Sequence, residues 1–191
     1  MTRDKNWALD QLRHQRNAFL LTLASLALLH GDQLQSLSDR KVVLKGDGMI
    51  LDPDDSDRTG ERFEFEFQHI VDASVNDTTN FDVDLRELFK FARRNLVKEG
   101  FEVVKAFATV SGISEELEKE DWYPFAYVVR NAISHNMLWE FQKKAKKMLP
   151  ITWKGVTIAI SNEGQELSES VLSPWRSIEL IFAMRGFVER H

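Results

Sequence analysis

An arginine, an asparagine and a histidine lie close together in the segment YVVRNAISHNML. Asn131 follows Arg130 directly, and His135 comes four residues after Asn131. Histidine can take up or release a proton near neutral pH, and arginine presents a fixed fork of donors that suits phosphate oxygens. An asparagine amide can orient either group. These residue types together suit proton transfer beside a phosphate.

The segment is predicted to be helical, and helical geometry decides which side chains share a face. At about 100° per residue, Asn131 and His135 lie one turn apart on the same face. Arg130 lies about 140° from His135, so its long side chain must curl to reach a ligand beside the imidazole. The packing face is apolar and consists of Val128, Val129, Ala132 and Ile133.

The same residues also have purely structural interpretations. Arg130 could pair with a carboxylate such as Glu140. His135 could lie at the end of its helix, where cationic groups are favoured. A string of six residues also arises by chance, and the chain would then be a structural domain.

The string R-N-x-x-x-H from Arg130 to His135 resembles the motif of the HEPN superfamily. Catalytic HEPN domains carry an arginine and, after four to six intervening residues, a histidine, with a polar residue often following the arginine. The spacing of four and Asn131 both match this pattern. The motif covers only six residues, and the helical pattern extends the resemblance loosely over most of the chain.

The resemblance implies a metal-independent endoribonuclease without a cofactor. In such enzymes the 2′-hydroxyl of RNA attacks the neighbouring phosphorus and leaves a cyclic 2′,3′-phosphate and a 5′-hydroxyl. By resemblance, His135 would be the acid or base, Arg130 the phosphate clamp and Asn131 an orienting group. The site would lie in the cleft of a homodimer, where two copies of the motif face each other.

The resemblance also implies a biological setting and an alternative function. Many bacterial HEPN nucleases belong to toxin–antitoxin or defence systems, so an antitoxin or another partner protein is expected. The alternative is a non-catalytic HEPN-like helical module that binds a nucleotide, an RNA or a partner protein through the same cleft.

A basic run follows the motif. Its four lysines are candidates for binding RNA phosphates, which would make the affinity depend on salt. The alternative is a solvated helix face or strand flank. The residues concerned are Lys143, Lys144, Lys146 and Lys147.

Composition limits the other possibilities. The 191 residues suit one domain, and a net charge of −5 argues against bulk attraction of polyanions. Yet the strip from Arg130 to Lys147 carries five basic residues against one acid, Glu140, so a local phosphate site is compatible with that charge. The absence of cysteine excludes disulfides, a thiol nucleophile and a cysteine zinc site, and it suits a reducing cytoplasmic location.

The apolar run AFLLTLASLALL at residues 18–29 is too short to cross a bilayer. It could be the core of a signal peptide, but Asp4, Asp10 and the lack of a small-x-small cleavage site favour a helix over residues 4–29. We expect the apolar face of this helix to broaden into a fully buried end. We therefore expect no contact with a membrane.

The remaining elements follow from periodicity and turn signals. A short strand is predicted at 41–45 and an acidic surface loop at 46–60, where five aspartates could suggest calcium but do not have EF-hand spacing. Residues 63–67 (FEFEF) alternate like a strand but also fit helical spacing, and we favour a helix. A break is predicted at 76–80 and an acidic linker at 115–121.

The second half of the chain is predicted to be helical around one β element. We expect one long helix from Phe81, or two divided at Gly100, then a helix at 121–136 and a last helix at 173–189. A strand, or a hairpin turning near Lys154-Gly155, is predicted at 150–161. The prediction is a mainly α fold: a single HEPN-like domain over residues 1–191, with four or five helices and a small β element before the last helix.

Overall fold

A computed structural model of the protein describes residues 3–29, 34–38, 41–45, 50–51 and 62–191. Within these ranges the helices are α1 (Lys5–Leu29), α2 (Gln68–Asn76), α3 (Thr78–Val110), α4 (Ser114–Glu118), α5 (Tyr123–Ser134), α6 (Lys143–Met148) and α7 (Pro174–Arg190). The strands are β1 (Lys41–Lys45), β2 (Ile50–Leu51), β3 (Arg62–Glu66), β4 (Ile151–Trp153) and β5 (Val156–Ile158). The predicted mainly α class, with a hairpin before the last helix, is confirmed. The helix count exceeds the predicted four or five because α2, α4 and α6 are short.

The chain divides into two compact units. The first comprises Met1–Leu21 and Lys90–His191, and the second comprises Thr22–Phe89. The motif lies in the first unit. That all 191 residues form a single HEPN-like domain stays a prediction.

The first helix begins where the sequence predicts. The Asp4 carboxylate accepts a hydrogen bond of 2.8 Å from the backbone N–H of Trp7, which satisfies a free donor of the first turn. The prediction of a fully buried end is wrong, because Leu21 is 68% exposed and Leu28 is 49% exposed. The run at 18–29 is apolar on nearly all sides, whereas only one face of a helix can pack.

The second unit contains a three-stranded antiparallel sheet in the order β2-β1-β3. The predicted strand at 41–45 is confirmed as β1. The helix favoured at 63–67 is wrong, since β3 pairs with β1 along all five of its residues. That pairing supplies hydrogen-bond partners that the sequence could not reveal. Of the predicted loop at 46–60, residues 50–51 form β2, and the other residues lie outside the described part of the chain.

The long helix α3 runs unbroken through Gly100. It starts just after Asp77, whose carboxylate accepts hydrogen bonds from the backbone and the side-chain amide of Asn80. The break predicted at 76–80 is confirmed only at Asp77, because Asn76 ends α2 and residues 78–80 already belong to α3. Gly100 is buried, and a methyl group placed there would lie 2.5 Å from Cδ1 of Ile181 in α7 and 3.7 Å from Leu12 in α1. Glycine therefore allows three helices to approach closely.

The elements after α3 confirm most turn signals. The predicted linker at 115–121 contains α4, one short helix that the acidic composition did not indicate. Strands β4 and β5 form the predicted hairpin, and both Lys154 and Gly155 adopt positive φ at its turn. The hydroxyl of Ser173 accepts a hydrogen bond from the backbone N–H of Arg176 and caps α7, which begins where the last helix is predicted.

Aromatic contacts join the elements that surround α5. Phe101 of α3 lies 5.7 Å from Tyr123, and Phe125 lies 5.0 Å from Trp153 of β4, both measured between ring centroids. These contacts fix α5 between a long helix and the hairpin. None of the described helices combines the length and the apolar character that a bilayer span requires.

Candidate active site

The motif occupies the C-terminal half of α5 and its cap. Pro124 lies in the first turn of the helix, where a backbone N–H would have no partner within the helix, so its absence costs nothing. The helix ends at Ser134, so His135 is the C-cap rather than a residue of the helical stripe. Asn136 has a φ of 54°, and the N–H of Met137 donates to the carbonyl of Ala132 at 2.9 Å. This is a Schellman ending with asparagine in the left-handed position.

The chain that follows the helix is held by a second segment. The N–H of Trp139 donates to the carbonyl of Gln165 at 2.9 Å, and the N–H of Leu167 donates to the carbonyl of Met137 at 2.7 Å. Met137 and Trp139 are buried. The backbone between His135 and Glu140 is therefore fixed by packing and pairing, which sets the positions from which these two side chains extend.

Arg130 is bound on two sides by the protein. Its Nη1 donates to Oδ1 of Asn131 at 3.2 Å, and its Nη2 forms an ion pair with Oε1 of Glu102 in α3. The Arg130 side chain is 30% exposed, whereas Asn131 is buried. Asn131 thus acts as a fixed acceptor that directs a partly accessible guanidinium.

His135 is paired with an acid five residues further along the chain. Its Nδ1 lies 3.2 Å from Oε2 of Glu140, and the two side chains are 39% and 56% exposed. A carboxylate on Nδ1 favours the tautomer in which Nδ1 carries the proton and Nε2 is free to accept one. The imidazole is therefore oriented and remains accessible to solvent.

The structure brings two of the three motif side chains into direct contact. Arg130 touches Asn131, but no hydrogen bond or ion pair joins Arg130 to His135 within the described part of the chain. His135 lies at the helix end, as its structural interpretation predicts. The carboxylate that pairs with Arg130 is Glu102 rather than Glu140. The sequence did not indicate Glu102, because it lies on another helix.

Lys144 belongs to a cluster that stabilises the fold. Its ammonium lies 2.6 Å from Glu118 and 5.3 to 5.6 Å from the ring centroids of Tyr127 and Tyr123. The hydrogen bond to Glu118 is the largest cause that raises the pKa of Lys144 above its ordinary value. Burial raises the pKa of the Tyr123 phenol. These contacts occupy Lys144 and reduce its availability to a phosphate.

The other three lysines of the basic run differ in their contacts. Lys146 forms an ion pair of 2.9 Å with Glu163. Lys143 and Lys147 are exposed, and neither has an ion pair within the described residues. All four lysines lie on the short helix α6. Because Lys143 and Lys147 have no acidic partner in the described part of the chain, two charged side chains of the run remain open to solvent.

No protein-family profile, curated protein or solved structure matches this chain. Among the described residues, no group of three or more histidine, aspartate or glutamate side chains could hold a metal ion. The resemblance to the HEPN superfamily therefore depends on the motif and its helical surroundings alone.

Proposed function

We propose that the protein is a metal-independent endoribonuclease of HEPN type. One observation carries the proposal: Arg130 and Asn131 form a joined pair at the end of the same helix that His135 caps. Arg130 and His135 are each partly exposed, so a substrate can reach them. Packing of the surrounding segments fixes the backbone beneath them, which is what catalytic positioning requires.

Each side chain has a defined part in the proposed cleavage. A bond forms between the 2′-oxygen and phosphorus while the bond from phosphorus to the 5′-oxygen breaks. Nε2 of His135 would accept the 2′-hydroxyl proton, and an imidazolium would return a proton to the departing 5′-oxygen. Arg130 would stabilise the negative charge that develops on the phosphate oxygens.

The proposed mechanism requires Arg130 to exchange one partner. The guanidinium offers five N–H donors, of which one set faces Glu102 and another faces Asn131. A phosphate would compete with Glu102 for Nη2, while Asn131 would keep the guanidinium in place. Glu102 then serves to hold the arginine side chain extended until RNA binds.

The proposal also covers the oligomeric state of the protein and its biological setting. A homodimer would place a second copy of Arg130, Asn131 and His135 across the cleft and so provide one imidazole as base and one as acid. The expected setting is a toxin–antitoxin or defence system in the cytoplasm, with an antitoxin or other partner protein. These statements follow from the HEPN resemblance alone.

A nuclease assay in excess EDTA tests the proposal. Purified protein is incubated with varied single-stranded RNAs beside His135→Ala, and His14→Ala serves as a matched exposed histidine in the same unit. We expect His135→Ala to lower the rate about 10²- to 10⁴-fold and His14→Ala to have no effect. Equal cleavage by wild type and His135→Ala would overturn the role of His135.

The second candidate function is a non-catalytic module that binds a nucleotide, an RNA or a protein. One observation favours it: Arg130 and His135 each already face a carboxylate, Glu102 and Glu140 respectively. Carboxylate contacts of this kind also form between residues that only stabilise a fold. RNA binding by the wild type without cleavage of any tested RNA would select this candidate.

A further inference from the structure

A cavity of about 550 Å³ lies between α1 and α3 in the first unit. One wall is formed by four side chains at steps of four residues; three lie on one face of α1, and Arg3 lies just before the helix begins at Lys5. They are Arg3, Trp7, Gln11 and Gln15. The volume falls within the range of small-molecule and cofactor sites, which is about 300 to 1,000 Å³. We call this cavity the Trp7 groove.

The wall carries groups that suit a nucleobase. Trp7 is only half-buried and lies beneath the Arg3 guanidinium, which is 5.7 Å from the ring centroid. An indole face can stack any base, and a base that enters the groove would displace the guanidinium from the ring towards the nucleotide's phosphate. Neither Gln11 nor Gln15 has a side-chain hydrogen-bond partner within the described residues, so both amides are free to bind base edges.

The opposite wall links the groove to the motif. Glu102 lines the groove and also forms the ion pair with Arg130. A ligand in the groove is therefore separated from the Arg130 guanidinium by the Glu102 side chain. Trp122 and Trp139 are buried in the core, whereas Trp7 is only half-buried and lines the groove.

The charges of the groove favour one nucleotide rather than an extended polyanion. Arg3 and Lys105 supply two cations, and Glu99 and Glu102 supply two acids. A balanced lining of this kind suits a mainly flat, neutral group with a phosphate at its edge. Continuous phosphate binding would instead require an excess of cations.

We propose that the Trp7 groove holds one unpaired nucleotide of single-stranded RNA beside the phosphate that Arg130 contacts. The base stacks on Trp7, the amides of Gln11 and Gln15 bind its edge, and Arg3 and Lys105 lie near its backbone. This inference depends on the proposed function for its substrate class. In this proposal α1 binds the base of the nucleotide, whereas the motif on α5 binds the phosphate.

Binding of a labelled RNA tests the groove separately from cleavage. The probe is a fluorescein-labelled, mixed-sequence single-stranded RNA of ten nucleotides, and its Kd is measured by anisotropy in EDTA. All proteins carry His135→Ala so that the strand stays intact. Trp7→Ala and Gln11→Ala/Gln15→Ala are compared with Trp175→Ala, a control at a 69% exposed tryptophan on α7, and circular dichroism checks the fold of each.

We expect Trp7→Ala to raise Kd roughly 5- to 150-fold, the range for loss of one stacked base. We expect Gln11→Ala/Gln15→Ala to raise it several-fold and Trp175→Ala to leave it unchanged. Unchanged Kd for both groove variants would overturn the inference even if the wild type cleaves RNA through His135. Loss of binding in the groove variants, with no cleavage by the wild type, would support the groove and overturn only the proposed nuclease.

Discussion

At the residue scale, Arg130 and His135 each lie beside a carboxylate of the same chain. His135 pairs with Glu140 at 3.2 Å, and Arg130 pairs with Glu102. An exposed ion pair contributes little stability, about 0 to 1 kcal/mol. The Glu140 carboxylate therefore matters for the orientation of the His135 imidazole, because it favours the tautomer in which Nε2 accepts a proton.

Glu140→Gln tests this orientation. The amide keeps the shape of the side chain but removes its charge and can present either a donor or an acceptor to Nδ1. We expect the RNA cleavage rate to fall about tenfold and the thermal midpoint to stay nearly constant. Glu163→Gln, which breaks the Lys146 pair, is the matched control. Equal rates for both variants would contradict a role for Glu140.

The Tyr123–Lys144 pair predicts a loss of stability in alkaline solution. The folded state raises the pKa of both groups, so the stability that they contribute is complete below their unfolded pKa values and is lost as pH rises through the folded ones. We expect the free energy of unfolding to decline above about pH 10. Urea titrations measured across pH provide the test.

Tyr123→Phe should flatten this alkaline decline because it removes the phenol, and Lys143→Met is the control on the same helix as Lys144. If Tyr123→Phe and the wild type lose stability in parallel above pH 10, the burial of the phenol does not cause the decline. Lys144 is 44% exposed, so its own contribution is reduced by solvent screening.

At the element scale, the spacing of apolar residues predicted well those helices that pack one face against the core. It could predict neither a partner strand, as the error at Phe63 shows, nor the continuity of α3 through Gly100. Both depend on contacts that are distant in sequence. The end of α5 is instead set locally, since left-handed Asn136 makes His135 a cap where the repeat predicted a helical residue.

Gly100→Ala tests the close approach of three helices. A methyl group would lie 2.5 Å from Ile181 Cδ1 and 3.3 Å from Met184 Sδ, so this region must shift. We expect a loss of about 1 to 2 kcal/mol, because overpacking exceeds the helix-propensity gain. Gly186→Ala is the matched control, since its methyl group would meet only Arg190 Nη1, at 3.5 Å.

The control should stabilise the protein by about 0.5 to 1 kcal/mol, as alanine is the better helix former. Chemical denaturation of both variants measures the difference. Equal stabilisation by Gly100→Ala and Gly186→Ala would contradict the tight contact at Gly100.

At the scale of the whole molecule, the net charge is −5, yet α6 carries a run of four lysines. Two of the four, Lys144 and Lys146, form ion pairs with glutamates of the same chain. Sequence reasoning found all four lysines but could not predict which ones have acidic partners. Glu118 and Glu163 come from other segments of the chain. The RNA affinity that this run can provide is therefore smaller than its composition suggests.

The salt dependence of RNA binding should separate the two kinds of lysine. Each phosphate contact removed from a single strand reduces the slope of log affinity against log salt by about 0.7. We expect Lys143→Ala/Lys147→Ala to reduce the slope by about 1.4 and Lys146→Ala to leave it nearly unchanged. Anisotropy titrations at several salt concentrations measure both slopes. Equal slopes for the two variants would show that pairing with Glu163 does not keep Lys146 from RNA.

The chemistry of the RNA ends tests the central claim most directly. A defined single-stranded RNA is incubated with the wild-type protein in excess EDTA, and the termini of the fragments are identified by mass spectrometry. Attack by the 2′-hydroxyl under the control of His135 and Arg130 predicts a cyclic 2′,3′-phosphate on one fragment and a 5′-hydroxyl on the other. Fragments with a 3′-hydroxyl and a 5′-phosphate, or no fragments from any RNA tested, would contradict the claim.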